Sequence, residues 1–541
     1  MNTEQDQIKA PPTLAATSPR PAWMTDELIG QWCAWVHRVE TRQERGALEP
    51  VTAVAPYDLS PIAPVPACAP EDVESAAAMA RAAQREWMRT PLSRRSDIVL
   101  AFHDLLLERQ DQVLDLIQWE TGKARYHAWQ EVAQIAAIAR HYARRARRYL
   151  TVRHVRGMVP GLTKVKELRV PKGVVGVISP WNYPLYLGVG DVLPALLAGN
   201  AVVSKADSQT ALTLLWARTL LAEAGLPADL WRIVAGDGAV VGTAVVDAVD
   251  FVCFTGSTAT GRTVAARAAR RLVGSSLELG GKNPLIVRAD ADIAAAAAGT
   301  VVAAFANTGQ MCIHIERVYV HEKVYDAFRD ELLRATKALR LGRSYDYSAD
   351  IGSLVSPAQL AAVEGHVDDA VAKGATVLAG GRARPDIGPL FYEPTILEGV
   401  TPEMAVWETE TFGPVISLYP CATDNEALGL ANQGTYGLSA SIWSRNTREA
   451  DRMAGLIRAG SVNINDGAAA AAGSIEAGMG GMGDSGLGRR HGADGIRKYT
   501  ESQTVAVQRL MPLGPSPKQS VESFVRRTNG QLALLRRLRV R

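Results

Sequence analysis

The alternation of apolar and polar positions divides the chain into regions of different periodicity. From Asp72 to Leu150 glycine is almost absent and apolar residues recur with helical spacing, as in EDVESAAAMARAAQREWM, which predicts amphipathic helices. From Gly173 the pattern changes to short β-branched runs separated by helical segments, namely GVVGVIS, NAVVSK, LWRIVAG, DFVCFTG and NPLIVR. Strands that alternate with helices predict a parallel sheet with helical crossovers.

A second alternating region follows Cys312. It contains the strand-like runs ERVYVH, ATVLAGG, FYEPTIL and GPVISLYP and the helical run KVYDAFRDELLRATKAL. Two further segments, LTKVKELRV and SQTVAVQRL, alternate without belonging to a strand–helix unit, and we predict that they pair in a small separate sheet. The predicted fold class is therefore α/β, with two parallel-sheet domains and a small β element.

Composition narrows the function to small-molecule chemistry. The 541 residues exceed one ordinary core, and the cations behind the net charge of +3 are dispersed among acids, which argues against a nucleic-acid partner. No apolar run reaches the roughly 18 residues of an integral membrane span, and the N-terminus lacks the apolar core of a signal peptide. The five cysteines show no metal-ligand spacing, so we expect no metal and a reducing, cytoplasmic location.

Five short motifs carry candidate chemistry. In chain order they are SPWNYP (179–184), FTGSTATG (254–261), LELGGKNP (277–284), NTGQMC (307–312) and ETFGPV (410–415). In this order they resemble the aldehyde dehydrogenase superfamily, and the runs PKGVVGVISPWNYP, RPDIGPLFYEPT and GMGGMGDSGLGRRHG resemble its bacterial NADP-type succinate-semialdehyde dehydrogenase branch. The resemblance implies a Rossmann-like cofactor domain, a catalytic domain, and a small β element that joins subunits into a homodimer or homotetramer.

The resemblance and the changes of pattern together predict the domain boundaries. We expect a flexible leader at 1–50 and a cofactor-binding domain formed by 51–148 and 172–281. A catalytic domain is expected at 282–490, an oligomerisation element formed by 149–171 and 491–512, and a basic tail at 513–541. The tail ends in the basic amphipathic run LALLRRLRVR, a type of segment that can lie on an anionic membrane. Because Gly530 is expected to interrupt its helix, we favour a tail that packs on the body or stays solvated.

Oxidation of an aldehyde by a nicotinamide cofactor requires a nucleophile, because hydride leaves readily from the tetrahedral carbon that the nucleophile creates. A cysteine thiolate is well suited to this step. Cys312 is the candidate, since no other cysteine lies in a glycine-containing polar turn, and Cys253 is predicted to be a buried strand residue. The alternative for Cys312 is a packing role, the usual one for a cysteine.

The resemblance assigns the other catalytic roles. Asn182 matches the side-chain amide that stabilises the oxyanion together with the backbone N–H of the nucleophile. Glu278 matches the base that activates water to hydrolyse the thioester. Members that transfer the acyl group to coenzyme A typically lack this glutamate, so a free carboxylic acid is the expected product.

The cofactor residues are predicted from the same motifs. FTGSTATG follows a strand and opens a helix, so its backbone N–H groups can meet a phosphate, although the usual GxGxxG fingerprint is absent there. The resemblance places seven residues at the cofactor: Pro180, Trp181, Lys205, Gly256, Ser257, Glu410 and Phe412.

The residues after Lys205 indicate which cofactor binds. NAD-preferring members usually carry a glutamate three residues after this lysine, whereas this chain has Ser208. A carboxylate would repel a 2′-phosphate, and Lys205, Ser208 and Ser257 together can hold one. We therefore predict NADP as the cofactor, with NAD possible through a rotation of the neighbouring Asp207.

The branch also implies a substrate, succinate semialdehyde, which would be oxidised to succinate. The two arginines expected to hold its distal carboxylate are replaced by Gly190 and Ala306, and Ser474 is the clearest polar candidate in the loop expected at the substrate mouth. Succinate semialdehyde remains the favoured substrate. Uncharged aldehydes, oxidised with NADP or NAD, are the alternative.

Two further residues near these motifs, His314 and Arg490, have weaker assignments. His314, two residues after Cys312, is predicted to be structural rather than to tune the thiolate. Arg490 falls where some relatives carry a glutamate that relays protons, which leaves proton removal to Glu278 and water.

Two other function classes remain open. A cysteine hydrolase would also use Cys312, but the papain-like CGSCW signature is absent and no histidine base is identified. A catalytically silent scaffold on the same fold would have no use for Cys312, Glu278 and Asn182 together.

Overall fold

The structure is a computed structural model that describes residues 20–37, 48–157, 163–468, 473–508 and 514–539. The helices are α1 Asp26–Cys33, α2 Pro70–Trp87, α3 Leu92–Glu108, α4 Gln110–Thr121, α5 Arg125–Leu150, α6 Pro184–Val189, α7 Val192–Leu197, α8 Ala211–Glu223, α9 Thr243–Ala248, α10 Thr258–Arg270, α11 Ile293–Phe305, α12 Tyr325–Lys337, α13 Pro357–Ala372, α14 Ala405–Glu408, α15 Asp424–Ala431, α16 Thr447–Ala454, α17 Gly492–Arg497 and α18 Val521–Arg537. The strands are β1 Arg153–Val155, β2 Thr163–Pro171, β3 Val174–Ile178, β4 Ala201–Lys205, β5 Trp231–Val234, β6 Phe251–Thr255, β7 Gly274–Glu278, β8 Asn283–Val287, β9 Ile315–His321, β10 Thr376–Ala379, β11 Thr395–Glu398, β12 Val415–Cys421, β13 Ser439–Trp443, β14 Ser461–Ile464, β15 Gly486–Leu487 and β16 Thr500–Gln508. The described residues fall into two compact units, one from 1–149 and 171–499 and the other from 150–170 and 500–541.

The first sheet of the larger unit has six strands in the order β15-β7-β6-β3-β4-β5. The strands from β7 to β5 run parallel to their neighbours, and β15 is antiparallel to β7. β4 and β6 are buried along their whole length, as expected for parallel strands covered on both faces. Because the strand order reverses at β3, with β4 on one side and β6 on the other, the carboxyl ends of these three strands open a crevice.

The second sheet has seven strands in the order β10-β11-β12-β9-β8-β13-β14. β10 and β11 are antiparallel, and the other neighbours are parallel. The four residues 279–282 join β7 of the first sheet to β8 of the second, and Cys312 lies just before β9, the neighbour of β8. Glu278 and Cys312, which are distant in sequence, therefore lie where the chain passes between the two sheets.

Two boundaries differ from the predicted domain limits. β15 falls in the range predicted for the catalytic domain but pairs with β7 in the first sheet. Residues 491–499, predicted as part of the oligomerisation element, belong to the larger unit. The reason is burial: the ring of Tyr499 is inaccessible, and its hydroxyl donates a hydrogen bond to Asp191 Oδ1 at 2.6 Å.

Part of the segment predicted as a flexible leader is folded. α1 buries Trp32, and Val36 forms a bridge with Ile233 at the edge of the first sheet. Apolar residues that recur with helical spacing gain more from burial than a short helix loses in backbone entropy. Residues 1–19 and 38–47 of the same prediction lie outside the described residues.

The smaller unit contains a three-stranded sheet in the order β1-β2-β16. The predicted pairing of LTKVKELRV with SQTVAVQRL is confirmed, because these segments form β2 and β16, which are hydrogen-bonded neighbours. β1 runs antiparallel to β2, with Arg153 opposite Glu167 and an ion pair of 2.7 Å between them. β16 is an edge strand whose side chains are mostly exposed.

α18 runs through Gly530, where we expected an interruption. Ser520 caps the helix by accepting a hydrogen bond from the N–H of Ser523 at 3.2 Å. One exposed glycine costs a helix about 1 kcal/mol relative to alanine, which a capped, leucine-rich helix can absorb. No residue of α18 is buried, and no described helix is both long and apolar enough to cross a bilayer.

Candidate active site

A cavity of about 320 Å³ in the larger unit contains the three predicted catalytic side chains. Cys312 lies in the turn before β9, Asn182 in the loop after β3 and Glu278 at the end of β7, and all three line the cavity. Apolar and aromatic side chains form most of the remaining wall. Arg490 is the other charged residue among the described lining residues. The structure thus brings together a thiol, an amide and a carboxyl group that are far apart in sequence.

The turn that carries Cys312 has an unusual backbone. Asn307, Thr308 and Gly309 have φ values of 51°, 58° and 71°, so three consecutive residues occupy the left-handed region. A β-branched residue such as Thr308 adopts this conformation at a cost of about 1–3 kcal/mol. Glycine is required at 309, because an added Cβ would collide with the carbonyl of Gly413.

Buried hydrogen bonds hold this turn. Asn307 Nδ2 donates to the carbonyl oxygens of Asn182 and Gln310, at 3.1 and 3.0 Å. Thr308 Oγ1 donates to the carbonyl oxygen of Gly352 at 3.2 Å. The turn is therefore fixed by the protein itself, and the direction in which Cys312 faces the cavity does not depend on a ligand.

The thiol of Cys312 is half-buried in the cavity wall. Its backbone carbonyl accepts a hydrogen bond from Asn283 Nδ2 at 2.8 Å. Burial above all, together with the carboxylates of Glu278 and Glu410, raises the pKa of the thiol to about 12. Cys312 is therefore a neutral thiol near pH 7, and it becomes a nucleophile when a base takes its proton or when a positive charge is brought near.

Asn182 is held by its side-chain amide nitrogen and by its backbone carbonyl oxygen. Its side chain is buried, and Nδ2 donates to the carbonyl oxygen of Gln310 at 3.1 Å. Its own carbonyl oxygen accepts hydrogen bonds from Asn307 Nδ2 and from Lys123 Nζ, the latter at 2.6 Å. The second proton of Nδ2 remains available to an oxyanion in the cavity.

Lys123 and Glu131 form a buried ion pair that the sequence gave no reason to single out. Lys123 Nζ donates to Glu131 Oε1 at 2.6 Å, and neither side chain is accessible. Burial lowers the pKa of Lys123 and raises that of Glu131, and their mutual attraction opposes both shifts. Glu131 Oε2 also accepts the N–H of Leu185 at 2.9 Å. The pair ties α5 to the loop of Asn182, so it positions the amide from behind.

Glu278 is buried at the end of β7, and its Oε1 is buried without a hydrogen-bond partner among the described residues. Burial raises the pKa of its carboxyl group to about 7, although Arg490 and Lys498 oppose the shift. A carboxyl group with this pKa can take a proton from water and give it up again near neutral pH.

Arg490 occupies the position where a proton-relaying glutamate was considered. It is buried, and its Nη2 donates to Asp191 Oδ2 and to Thr255 Oγ1, each at 2.6 Å. Although burial alone would raise the pKa of Asp191, Arg490 and Lys498 hold it well below its usual value. Arg490 is thus committed to Asp191 and acts on Glu278 through its charge.

Six of the predicted cofactor residues lie at the carboxyl ends of adjacent strands of the first sheet. Pro180 and Trp181 follow β3, Lys205 ends β4 and Ser208 follows it, and Gly256 and Ser257 follow β6. Ser257 caps the 13-residue helix α10 by accepting the N–H of Thr260 at 3.3 Å. These ends surround the crevice at the reversal of strand order, and a helix N-terminus there favours a phosphate group. The residues present fit a dinucleotide.

Glu410 and Phe412 approach the same region from the second sheet. Glu410 Oε1 accepts the N–H of Gly281 at 2.9 Å, and burial raises the pKa of its carboxyl group to about 7. Phe412 has a φ of 52°, and its ring centre lies 5.7 Å from that of Trp181, with the ring planes nearly perpendicular. A left-handed phenylalanine is strained, which is common where a side chain is held for a ligand.

The comparisons with known proteins identify the chain. Its residues 43–505 match the Aldehyde dehydrogenase family. The chain belongs to this family. A relative from Mycolicibacterium smegmatis, provisionally named as a succinate-semialdehyde dehydrogenase that uses NADP(+), is 53% identical over 451 residues, which cover 83% of this chain and 87% of that one. A Methylomonas protein named 4,4'-diapolycopene aldehyde oxidase is 36% identical over 460 residues, 83% of this chain and 84% of that one.

A solved structure supports the same conclusion. The crystal structure of succinate-semialdehyde dehydrogenase from Burkholderia pseudomallei matches with a TM-score of 0.82 at 33% identity, covering 86% of this chain and 95% of that one. The predicted α/β fold of the aldehyde dehydrogenases is confirmed by this match and by the two mainly parallel sheets. The chain is therefore an oxidoreductase of the aldehyde dehydrogenase type.

The residues considered for the substrate of this aldehyde dehydrogenase do not meet at one place. Ala306 lines the cavity of Cys312, whereas Gly190 lies at the end of α6 and lines a separate small cavity beside Asp191. Ser474 is exposed, and its Oγ accepts the N–H of Ala477 at 3.3 Å. An arginine at 306 would reach the cavity, but one at 190 would first meet the carbonyl oxygen of Tyr186, 2.6 Å from its Cβ.

His314 has the structural environment that was predicted for it. It is fully buried, and its Nε2 lies 3.0 Å from Glu316 Oε1. Glu316 also pairs with Lys282, and Lys282 above all, together with the neighbouring His314, holds the pKa of Glu316 well below its usual value although burial would raise it. The histidine therefore belongs to a buried ionic cluster beneath β9 rather than to the cavity wall.

Proposed function

We propose that this chain oxidises an aldehyde to its carboxylic acid with NADP(+), through a covalent adduct at Cys312. The observation that carries the proposal is the shared cavity of Cys312, Asn182 and Glu278, adjoined by the crevice whose residues fit a dinucleotide. Initial rates of NADPH formation over a panel of aldehydes, with NAD(+) in parallel, test it directly.

The side chains present suffice for each proton and bond that the protein must handle. The Cys312 thiol first loses its proton to solvent, and the thiolate then adds to the carbonyl carbon. The resulting oxyanion accepts hydrogen bonds from Asn182 Nδ2 and the N–H of Cys312. Bound NADP(+) supplies the hydride acceptor, and loss of hydride from the adduct leaves a thioester on Cys312. Glu278 then takes a proton from water, the hydroxyl attacks the thioester carbon, and the carbon–sulfur bond breaks to release the acid and the thiolate.

The choice of NADP rests on the residues that follow β4. Ser208 Oγ donates to the carbonyl oxygen of Gly236 at 3.2 Å. This position therefore carries a hydroxyl group and not the carboxylate of a glutamate. Asp207 Oδ1 accepts the N–H of Gln209 at 2.9 Å, which holds this carboxylate in a local turn. The name of the Mycolicibacterium smegmatis relative supports the same cofactor.

Ser208→Glu is expected to invert the cofactor preference. The new carboxylate would repel a 2′-phosphate and accept the ribose hydroxyls of NAD(+), so kcat/KM for NADP(+) relative to NAD(+) should fall by about 100-fold. Ser208→Ala, which removes the hydroxyl without adding charge, should change the ratio by no more than a few-fold. A wild-type protein that prefers NAD(+) would contradict the assignment.

Two substrates are supported by different observations. The names of the Mycolicibacterium smegmatis and Burkholderia pseudomallei proteins support succinate semialdehyde. The cavity supports uncharged aldehydes, because Arg490, the cation among its described lining residues, already pairs with Asp191. Burying a carboxylate without a partner is costly. The geometry therefore favours the uncharged class.

We also propose a homodimer or homotetramer, assembled through the three-stranded sheet. The support is β16, a nine-residue strand that lies at one end of the order β1-β2-β16 among the described strands and whose side chains are mostly exposed. Light scattering during size-exclusion chromatography measures this, and a monomer at micromolar concentration would rule it out. The five free cysteines fit a cytoplasmic enzyme, and recovery in the cytosolic fraction of its cells tests that location.

A further inference from the structure

The cavity in front of Cys312 is larger than the reaction itself requires. Its volume of about 320 Å³ lies in the range of about 300–1,000 Å³ that encloses drug-sized ligands. An aldehyde group and its oxyanion contacts occupy the end formed by Cys312 and Asn182. The remaining volume must therefore accommodate the part of the substrate that does not react.

Small side chains on two facing helices create this space. α5 contributes Ala133 and Ala137, one turn apart, and α11 with the residue that follows it contributes Ala303 and Ala306. Ala133 and Ala137 are four residues apart and therefore lie on one face of α5, whereas Ala303 lies on α11 and Ala306 just after its end; at all four positions the wall carries only a methyl group. A larger side chain at any of these positions would shorten the cavity.

An apolar mouth, formed by Tyr126, Trp129 and Val302, lies at the outer end of the cavity. The rings of Tyr126 and Trp129 are stacked, with centres 5.8 Å apart and an angle of 20° between their planes. The three residues are 49%, 39% and 59% exposed. Large exposed apolar side chains that are grouped around a cavity entrance mark a site for an apolar ligand.

Several polar groups of the inner wall already have partners, whereas Glu278 Oε1 and Arg490 Nε are buried without a hydrogen-bond partner among the described residues. Tyr183 Oη donates to Met311 Sδ at 3.4 Å, and Tyr186 Oη lies 3.2 Å from His491 Nε2. Gln134 Oε1 is buried without a partner among the described residues, but an amide is neutral and cannot compensate the charge of a carboxylate. The Arg490 guanidinium is paired with Asp191 and shares the wall with the carboxyl group of Glu278, so the rest of the wall offers a substrate mainly ring faces, methyl groups and sulfur.

We infer that the substrates of this site are uncharged apolar aldehydes, aromatic or at least about eight carbons long, whose distal end lies in the apolar mouth. This inference rests on the proposed function and narrows its substrate class. Ala306 is central to this inference. Its small side chain leaves space in the cavity, and the position lacks the cation that a half-aldehyde of a dicarboxylic acid would need.

The test compares kcat/KM with NADP(+) and with NAD(+) for butanal, hexanal, octanal, cinnamaldehyde and succinate semialdehyde. Full burial of one methylene group gives a factor of about four, so kcat/KM should rise about fourfold per added methylene up to octanal. Succinate semialdehyde should be a poorer substrate than butanal. Equal values along the series, or a preference for succinate semialdehyde, would overturn the inference while the Cys312 mechanism stands. No reduction of either cofactor by any aldehyde would instead reject the proposed function.

Two variants examine the cavity itself. Trp129→Ala should lower the octanal-to-butanal ratio of kcat/KM by about tenfold, since it removes one face of the apolar mouth. Ala306→Arg should lower kcat/KM for octanal and raise it for succinate semialdehyde, because it fills the cavity and adds a cation. Leu272→Ala, which removes an apolar side chain that is 96% exposed and lies away from the cavity, is the matched control and should leave the ratio unchanged. An unchanged ratio in Trp129→Ala, with an intact thermal transition, would contradict the role of the mouth.

Discussion

Cys312→Ser is expected to abolish measurable aldehyde oxidation, with kcat lowered by about 10⁴-fold or more, as when a nucleophile is removed from other covalent catalysts. Serine has almost the size of cysteine, but its hydroxyl is a far weaker nucleophile than a thiolate at neutral pH. The side chain is half-buried in a turn held by other residues, so the thermal unfolding temperature should change little. Stopped-flow and steady-state NADPH formation measure the loss.

The matched control is Cys253→Ser, the same substitution on a buried strand. Cys253 lies on β6 with its Sγ 3.4 Å from the hydroxyl of Tyr499, away from the cavity lining. This variant should retain aldehyde oxidation. Turnover in Cys312→Ser at the wild-type rate would reject the covalent mechanism, and ester cleavage that needs no cofactor in the wild type would favour the hydrolase alternative.

Glu278→Gln is expected to slow hydrolysis of the thioester by about 10²- to 10⁴-fold, the usual contribution of a general base. Addition of the thiolate and loss of hydride come before hydrolysis and do not use Glu278 as a base. One equivalent of NADPH per site should therefore still form rapidly. A burst followed by slow turnover is the expected signature. Burst amplitude against enzyme concentration, measured by stopped-flow absorbance, tests it.

The pH dependence follows from the raised pKa of Glu278. Hydrolysis requires the carboxylate, and burial places the pKa of this group at about 7, so the wild-type hydrolysis rate should rise with pH through about 7 and then level off. The glutamine variant should lose this ionisation. Glu410→Gln is the control, because Glu410 has a pKa of about 7 for the same reason but should affect cofactor binding rather than the burst. A wild-type hydrolysis rate independent of pH between 6 and 8 would contradict the role of Glu278.

Two buried ion pairs support the geometry of the site. Lys123–Glu131 holds the backbone of Asn182, and Arg490–Asp191 places a positive charge near Glu278. Removing one member of such a pair leaves an uncompensated buried charge, at a cost of about 3–5 kcal/mol. Arg490 and Asp191 lie 299 residues apart in sequence, whereas Lys123 and Glu131 lie eight apart and reach Asn182 through Lys123 Nζ.

Sequence patterns predicted the α/β fold and most of its strands, and they named the side chains that share one cavity. The β-branched runs between helical segments form the parallel strands. Such strands are buried on both faces of the sheet and are therefore rich in apolar, β-branched residues. Cys312, Asn182 and Glu278 were recognisable because each lies in a short motif next to a strand end. Part of the leader, β15 and the segment 491–499 were placed wrongly or left out, because their positions depend on burial against distant residues such as Asp191 and Ile233.

The sequence by itself determined the alternation of strands and helices, singled out Cys312 as the candidate nucleophile, and showed that positions 190 and 306 carry Gly and Ala rather than arginine, because local periodicity and residue type are properties of neighbouring positions. The tertiary structure alone decided that Lys123 and Glu131 stand behind Asn182, that Arg490 is committed to Asp191, and that Tyr126, Trp129 and Val302 share one cavity mouth. Those relations join residues from different helices and loops, and the pKa of each group follows from its burial and its neighbours, which are fixed only when the chain has folded.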